Sequence, residues 1–216
     1  MENKVAIIAG ASGLIGGHLV QLLLNSDYES IISVSRRKLD LEHPKLVQKI
    51  VNFDQLHTLE NELAADHIFC CLGSTIRKAG SKEKFILYDY TYPVELATIT
   101  RTNGASQFHI VSSLGAKKKS LFFYNRVKGD VEEAISKMDF RSIHIYQPSL
   151  LLGNREEFRT GEKMGEYISY LFYPLYGLIK NYKPVKASKV ANIMFAMAQL
   201  DHPGLHFHYS KEIQSY

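Results

Sequence analysis

One segment, residues 4–16 with the sequence KVAIIAGASGLIG, constrains the fold of this chain more than any other. An apolar run, Val5–Ala9, has the length and composition of a buried strand, and an amphipathic run, Leu14–Leu24, follows it closely. Three glycines at the junction have the spacing Gly-x-x-Gly-x-x-Gly. The pattern predicts a strand, a tight turn and a helix, which together place a dinucleotide pyrophosphate on the helix N-terminus. The residues predicted to hold it are Gly10, Ser12, Gly13, Leu14, Ile15 and Gly16.

The charged residues after the second apolar run predict which cofactor binds. Ser35, Arg36 and Arg37 lie about twenty residues beyond the glycine loop, where an NAD site carries an Asp or Glu for the ribose 2′-hydroxyl. Arginine forms a fork that matches a phosphate, so two arginines here predict NADP(H). The alternative is a pair of solvated arginines after an edge strand. Asp54, after the next strand-like run, is predicted either to meet the adenine or to form a turn.

Apolar runs alternate with amphipathic stretches along the chain. Strand-like runs occur at 5–9, 31–35, 47–53, 67–72, 108–112 and 142–146, and helix-like stretches at 14–24, 84–101 and 122–137. Two more helices, 163–180 and 188–200, and a short strand, 205–209, are predicted near the C-terminus. This order predicts a doubly wound α/β (Rossmann) fold with a mostly parallel sheet of six to seven strands and helices on both faces. We expect one domain, 1–216, with 150–216 forming a short helical cap on the substrate side.

Composition narrows the class of protein. The 216 residues are 45% hydrophobic and 22% charged, as in ordinary soluble globular proteins, and the net charge is +4. The only notable basic run, 117–119, lacks an aromatic pattern beside it, so we predict a solvated loop and no nucleic-acid partner. A leader pattern and a run of about 18 apolar residues are absent, which predicts a cytoplasmic protein without stable membrane insertion. Cys70 and Cys71 are adjacent and are predicted to be structural thiols.

Tyr124 and Lys128 have the spacing Tyr-x-x-x-Lys, which places both side chains on one face of a helix. The lysine can then hold a nicotinamide ribose, and its positive charge lowers the pKa of the tyrosine from the usual value of about 10. A tyrosine tuned in this way can pass a proton to or from a carbonyl oxygen. The spacing alone is not specific, because it also occurs at Tyr176 with Lys180 and at Tyr182 with Lys186.

Position along the chain selects the first pair. Only this pair follows a predicted core strand, 108–112, that leads directly into Ser112, Ser113 and a turn at Gly115. The Ser113 hydroxyl could donate a hydrogen bond to a substrate oxygen and polarise it, and Ser112 is the fallback if the register shifts by one residue.

Two other features are interpreted as having structural roles. His202, His206 and His208 have no cysteine or carboxylate at ligand spacing, so we predict a surface strand and no metal site. The aromatic run 167–179 is interpreted as core or a subunit interface, with a lid over an apolar pocket and a membrane-touching helix as the alternatives.

With these residues, the chain resembles the short-chain dehydrogenase/reductase superfamily, and more narrowly its atypical members related to the human Tat-interacting protein. The segments that carry the resemblance are GASGLIG at 10–16, SRRKL at 35–39, CLGST at 71–75, VSSLGA at 111–116, YNRVKGDVE at 124–132, QPSLLLGNRE at 147–156 and RTGE at 159–162. The superfamily binds NAD(P) and usually performs carbonyl–alcohol redox chemistry, and the resemblance implies both for this chain.

The resemblance also implies roles for individual residues. Ser113 matches the polarising serine, Tyr124 the acid/base tyrosine and Lys128 the lysine. Residues matching the loop beside the nicotinamide ribose and the backbone at the carboxamide end are Leu72, Gly73, Ser74, Pro148 and Leu150. The asparagine that many members carry has its nearest counterpart around Asp89 and Tyr90.

Two functions are consistent with these features. The first is an NADP(H)-dependent oxidoreductase that acts on a small-molecule carbonyl or alcohol. The alternative is a non-catalytic NADPH-binding regulator that acts through a protein partner, which the missing large substrate domain favours. A homodimer through 84–101 and 122–137 also stays open, because many relatives pair there.

Overall fold

A seven-stranded, fully parallel sheet forms the centre of the computed structural model, which describes residues 4–152 and 183–216. Its strands are β1 (Val5–Ala9), β2 (Ser30–Ser35), β3 (Leu46–Ile50), β4 (His67–Cys70), β5 (Gln107–Val111), β6 (Ser142–Gln147) and β9 (Gly204–Tyr209). The spatial order is β3-β2-β1-β4-β5-β6-β9. In chain order, β2 and β3 are added on one side of β1, and β4 and the strands after it are added on the other side. Doubly wound sheets bind ligands at such a switch, in the crevice outside the carboxyl ends of β1 and β4. The predicted fold class is confirmed.

Helices cover both faces of this sheet. They are α1 (Leu14–Leu24), α2 (Ile76–Ala79), α3 (Lys82–Ile86), α4 (Tyr92–Thr102), α5 (Phe123–Ser136), α6 (Ala187–Ala198) and α7 (Ser210–Ile213), with a 3-10 helix at Phe53–Glu62 and a π-helical turn at Leu87–Thr91. Alternate residues of β1 point into two separate cores. Ile8 packs with α1 and α6, and Ile7 packs with α4 and α5. Neither isoleucine has any exposed surface.

The predicted helix 84–101 is wrong as a single element. The structure divides it into α3, the π-helical turn and α4, in which the amide of Tyr92 donates to the carbonyl of Leu87, five residues earlier. Pro93 explains the change, because it has no N–H to donate to the carbonyl of Asp89, four residues before it. The predicted strand 47–53 is also too long. It ends at Ile50, and Asn52 caps the 3-10 helix by accepting a hydrogen bond of 3.1 Å from the amide of Asp54.

The C-terminal segment takes part in the main fold. α6 packs against α1, and β9 pairs with β6 over its whole length, from Ser142 opposite Gly204 to Gln147 opposite Tyr209. Residues 183–216 therefore belong to the sheet and its helical layer, where the sequence predicted part of a cap. The edge of β6 explains this, because its backbone groups need hydrogen-bond partners, which β9 supplies. Two short strands, β7 (Leu151–Leu152) and β8 (Val185–Lys186), pair beside the sheet. The predicted helix 163–180 and the aromatic run 167–179 lie outside the described residues.

A ladder of aromatic rings crosses the face of the sheet that α1 and α6 cover. Phe69, His109, His144 and His206 stand opposite one another on β4, β5, β6 and β9, and successive ring centroids are 4.9, 4.6 and 4.8 Å apart. His144 bonds through Nδ1 to Nε2 of His208 at 2.9 Å. Burial lowers the pKa of His144 to about 3 and that of His67 to about 4. Burial therefore favours the neutral forms of His144 and His67, and the described residues contain no cluster of His, Cys, Asp or Glu that could hold a metal ion.

Candidate active site

The glycine loop forms a cradle that only glycine can build. Gly10 has a φ of +89°, and a Cβ atom there would lie 2.6 Å from the carbonyl oxygen of Cys71. A Cβ atom at Gly16 would lie 2.2 Å from the carbonyl oxygen of Gly10. The loop is closed by a 2.9 Å hydrogen bond from the Gly13 amide to the Gly10 carbonyl. The backbone is therefore held tightly between β1, β4 and α1.

The N-terminus of α1 is open to an anion. Gly13 is the N-cap, and among the described residues no side chain caps this end and no acidic residue stands in the first turn. The first amides of a helix have no partner within the helix and carry its positive partial charge. Ser12 and Gly13 are both exposed at this point. The geometry fits a pyrophosphate, as the spacing of the glycines predicts.

The end of β2 carries the two predicted phosphate-binding arginines, and both are exposed. The Ser35 hydroxyl donates a 2.6 Å hydrogen bond to the carbonyl of Arg37, which fixes the turn after the strand. The guanidinium carbon of Arg36 lies 5.6 Å from the centroid of the Tyr88 ring, within the range of a cation–π contact. Asp54 lies just after β3, at the same carboxyl edge of the sheet, and is exposed. Its carboxylate accepts a hydrogen bond from the Tyr92 hydroxyl.

A buried ion pair lies at the carboxyl ends of β4 and β5. Lys128 is 4% exposed and Asp89 is 1% exposed, and Lys128 Nζ lies 2.7 Å from Asp89 Oδ1. The second carboxylate oxygen of Asp89 accepts a 2.8 Å hydrogen bond from the amide of Ser74. Burial alone would lower the pKa of Lys128, but the charges of Asp89 and Tyr124 outweigh it and the pKa is raised. The ammonium group therefore stays charged.

The same ion pair joins the ends of two strands. Lys128 Nζ donates to the carbonyl of Val111, the last residue of β5, at 3.5 Å. A Cβ atom at Gly73, just beyond β4, would lie 3.6 Å from Nζ, so the loop passes close over the ammonium group. The structure thus brings Gly73, Ser74 and Lys128 together as the sequence analysis expects. The thiol of Cys70 is fully buried beside them, and burial raises its pKa to about 12.

Ser113 and Tyr124 flank this corner. The hydroxyl oxygens of Ser112 and Ser113 are both buried and have no hydrogen-bond partner within residues 4–152 and 183–216. The backbone on either side is fixed, since the Ser112 amide donates to the Tyr146 carbonyl at 2.8 Å and the Leu114 amide donates to the Pro148 carbonyl at 2.9 Å. Tyr124 is half-buried one helical turn before Lys128, with its ring 5.3 Å from that of Phe85. A buried hydroxyl without a partner is a free donor for an oxygen atom of a ligand.

Pro148 and Leu150 lie on the backbone that continues from β6. The carbonyl of Leu150 accepts a 2.8 Å hydrogen bond from the amide of Val185, which ties this segment to β8. The predicted cofactor residues therefore fall into two groups along the carboxyl ends of the parallel strands, and we call the crevice outside these strand ends the cofactor groove. Arg36, Arg37 and Asp54 form one end, and the residues around Lys128 form the other.

The sequence analysis missed two buried partners, Asp89 and Glu132, and one half-buried partner, Tyr88. Asp89 was matched only to a family asparagine, and its ion pair with Lys128 was not predicted. Glu132 is 7% exposed on α5 and accepts hydrogen bonds of 2.9 and 3.0 Å from the side-chain amide of Gln147. Burial raises the pKa of Glu132, whereas the hydrogen bonds from Gln147 act to lower it. The sequence signal for a role of Glu132 was its position four residues after Lys128, on the same face of the helix. The contact between Tyr88 and Arg36 left no signal in the local sequence.

The fold and the glycine cradle define a Rossmann protein that binds a nucleotide cofactor. Residues 6–204 match the NAD dependent epimerase/dehydratase family, and the chain belongs to this family.

Individual relatives agree with this assignment. The chain is 35% identical over 167 residues to Protein HTATIP2 of Rattus norvegicus, covering 75% of this chain and 69% of that protein. It is 34% identical over 164 residues to Protein FMP52, mitochondrial, of Candida glabrata, covering 74% of this chain and 70% of that protein. A solved structure, MoeE5 in complex with UDP-glucose and NAD, superposes with a TM-score of 0.70 at 16% identity, covering 94% of this chain and 75% of that chain.

These relatives confirm the resemblance to the atypical short-chain dehydrogenase/reductase group and correct one prediction. The expectation of a cytoplasmic protein is wrong, because several relatives at 29–36% identity are named as mitochondrial proteins. That expectation rested on a missing leader pattern, which does not identify a compartment. In the part of the chain that the structure describes, no helix has the length and apolarity to cross a membrane.

Proposed function

We propose that this protein is an NADP(H)-dependent oxidoreductase that transfers hydride between the nicotinamide and a carbonyl or alcohol substrate. The observation that carries the proposal is the corner formed by Lys128, Ser113 and Tyr124 at the carboxyl end of β5. A charged lysine is buried there, one helical turn from a tyrosine and beside a strand end with an unpartnered buried hydroxyl. An unsatisfied buried donor costs about 1–3 kcal/mol, and Ser112 and Ser113 place two such donors at this strand end beside Lys128.

The residues present fit the cofactor at both ends. The cradle Gly10–Gly16, with Ser12 and the first amides of α1, would hold the pyrophosphate. Ser35, Arg36 and Arg37 would hold the 2′-phosphate, because two exposed guanidinium groups offer charge-assisted hydrogen bonds. The groups that would hold the nicotinamide ribose and carboxamide are Leu72, Gly73, Ser74, Ser112, Tyr124, Lys128, Pro148 and Leu150. When bound, the nicotinamide supplies or accepts the hydride.

The protein's own residues manage the proton and the polarity of the substrate oxygen. In the direction of carbonyl reduction, the O–H bond of Tyr124 breaks and its proton passes to the substrate oxygen while the carbon gains the hydride. The charge of Lys128 stabilises the tyrosinate that remains, and Asp89 holds Lys128 in place. Ser113 Oγ donates a hydrogen bond to the same substrate oxygen and favours the negative charge that develops on it.

The first experiment is a fluorescence titration of the purified protein with NADPH and NADH. We expect tighter binding of NADPH, and a loss in the Arg36→Ala/Arg37→Ala variant that is confined to NADPH. Lys4→Ala/Arg141→Ala, which removes two exposed cations at the amino ends of β1 and β6, is the matched control for lost charge and should bind both cofactors as the wild type does. Equal binding of NADH and NADPH by the wild type would refute the choice of cofactor.

The second experiment tests the chemistry with NADPH and a panel of aldehydes, ketones and quinones. For any substrate turned over, Tyr124→Phe should reduce kcat by about 100-fold or more, since it removes the general acid. Tyr209→Phe, an exposed tyrosine on β9, should keep full activity. Full turnover by Tyr124→Phe would show that the assigned chemistry is wrong. Tight NADPH binding without turnover of the panel would favour the non-catalytic regulator that acts through a protein partner.

A further inference from the structure

The π-helical turn Leu87–Thr91 presents two consecutive side chains to the two ends of the cofactor groove. Asp89 pairs with Lys128 at one end, at 2.7 Å, and the Tyr88 ring lies 5.6 Å from the guanidinium carbon of Arg36 at the other. Single-turn π-helices are frequent at functional sites. The role of Asp89 is accounted for by its ion pair with Lys128, whereas Tyr88 has no part in the chemistry described above.

We propose that Tyr88 is a positioning residue for cofactor choice, which holds Arg36 over the groove in the orientation that receives the 2′-phosphate of NADPH. This inference rests on the proposed function, because it needs a cofactor that carries that phosphate. Arg36 is exposed, so its long side chain samples many rotamers unless something orders it. The face of an aromatic ring orders a guanidinium group without using any of its N–H donors. All five donors of Arg36 therefore remain free for the phosphate.

Tyr88 is itself held by a second layer of contacts. Its ring packs against that of Tyr92, with centroids 5.8 Å apart, and the Tyr92 ring packs on Phe53 at 5.4 Å. The Tyr92 hydroxyl donates a hydrogen bond to Asp54. Burial raises the pKa of this hydroxyl, and the nearby positive charge of Arg36 acts in the opposite direction. Asp54 therefore anchors the cluster through Tyr92. The aromatic stack links the 3-10 helix, the π-helical turn and the end of β2 into one support for Arg36.

Arg37 provides an internal comparison. It is exposed beside Arg36, and its carbonyl accepts from Ser35, but no ring contact to its guanidinium group is seen among residues 4–152 and 183–216. If Tyr88 acts through Arg36, the loss of the ring should matter only while Arg36 is present. The same change should keep its full effect when Arg37 is removed.

The test measures NADPH and NADH dissociation constants by fluorescence titration for Tyr88→Leu and Tyr88→Phe. Tyr88→Phe keeps the ring and should bind NADPH as the wild type does. Tyr88→Leu should bind NADPH about three- to tenfold more weakly, the cost of ordering one long side chain, with unchanged NADH binding. The effect should vanish in the Arg36→Ala background and persist in the Arg37→Ala background. Tyr88→Met, which fills more of the space of the ring, replaces Tyr88→Leu if the leucine variant does not fold.

The outcomes separate this inference from the proposed function. A wild-type protein that does not prefer NADPH overturns the proposed function and this inference with it. A wild-type protein that prefers NADPH, together with a Tyr88→Leu variant that keeps the preference or weakens both cofactors equally, overturns the role of Tyr88 alone. An effect of Tyr88→Leu that adds fully to that of Arg36→Ala would show that the ring does not act through Arg36.

Discussion

The buried histidines predict a steep loss of stability in mild acid. An unfolded histidine has a pKa of about 6.5, whereas burial holds the pKa of His144 at about 3 in the folded protein. Above pH 6.5 His144 is neutral in both states, and the folded state has no disadvantage. As the pH falls below 6.5 the unfolded state binds a proton that the folded state refuses, so the free energy of unfolding decreases.

The size of the effect follows from this difference. Between pH 7.5 and pH 5.0 one such histidine lowers the free energy of unfolding by about 2 kcal/mol. Burial lowers the pKa of His67 to about 4 and holds that of His109 well below its ordinary value, so both contribute in the same direction. His144 and His67 together remove about 4 kcal/mol, which is a large part of the whole stability of a typical domain.

The assay is urea unfolding followed by circular dichroism at several pH values between 5 and 7.5. For the wild type, each neutral buried histidine adds about 1.2 kcal/mol per pH unit to the slope near pH 5.5. His144→Gln should lower that slope by this amount, whatever its own stability is at pH 7.5. Thr98→Ala, an exposed position without a titratable group, is the control and should leave the slope unchanged. A slope in His144→Gln equal to that of the wild type would refute the reasoning, because it would mean that folded His144 accepts a proton.

Three further predictions concern the site. Gly16→Ala should cost about 2–3 kcal/mol and weaken cofactor binding, because its Cβ atom would lie 2.2 Å from a carbonyl oxygen; urea unfolding and NADPH titration measure both. Asp89→Asn leaves Lys128 charged and buried without its partner and should cost about 3–5 kcal/mol. Asp139→Asn, which breaks an exposed 3.0 Å pair with Arg101, should cost less than about 1 kcal/mol in the same assay, and equal costs would contradict the assigned burial. In a Cys71→Ala variant, the one remaining thiol, Cys70, should react with a thiol reagent at pH 7.5 only as fast as the protein unfolds, and fast labelling of the folded protein would count against its burial.

Local patterns predicted the parts of the fold that depend on short-range physics. The apolar run Val5–Ala9, the glycine spacing and the helix behind them are specified within twenty residues, and the structure reproduces them. The central part of α5 was also predictable, because residues 122–137 carry the apolar periodicity of an amphipathic helix. The alternation of strand-like and helix-like runs predicted a mostly parallel sheet, because a helical crossover brings the next strand back in the same direction.

Long-range contacts explain what the sequence did not reveal. Asp89 and Lys128 are far apart in the chain, and a lone aspartate between aromatic residues reads as a polar surface position. Its burial depends on Pro93, which opens the helical ladder and turns the Asp89 side chain toward α5. The position of β9 in the sheet also depends on a long-range contact, its pairing with the free edge of β6. The sequence of residues 204–209 alone does not show which strand it pairs with.

The π-helical turn has a consequence for insertions and deletions in this chain. Relative to an α-helix, such a turn holds one extra residue, and one residue corresponds to about 100° of rotation. Deleting Leu87 would remove that extra residue and displace the side chains of the turn, Tyr88 and Asp89, whereas Pro93 would still leave the carbonyl four residues before it without an α-helical donor. Tyr88 and Asp89 face the two ends of the groove only while that extra residue is kept. The loss of one residue in this turn would therefore disturb the contacts at both ends of the cofactor groove. We expect insertions and deletions to be tolerated in the surface loops more readily than in this turn.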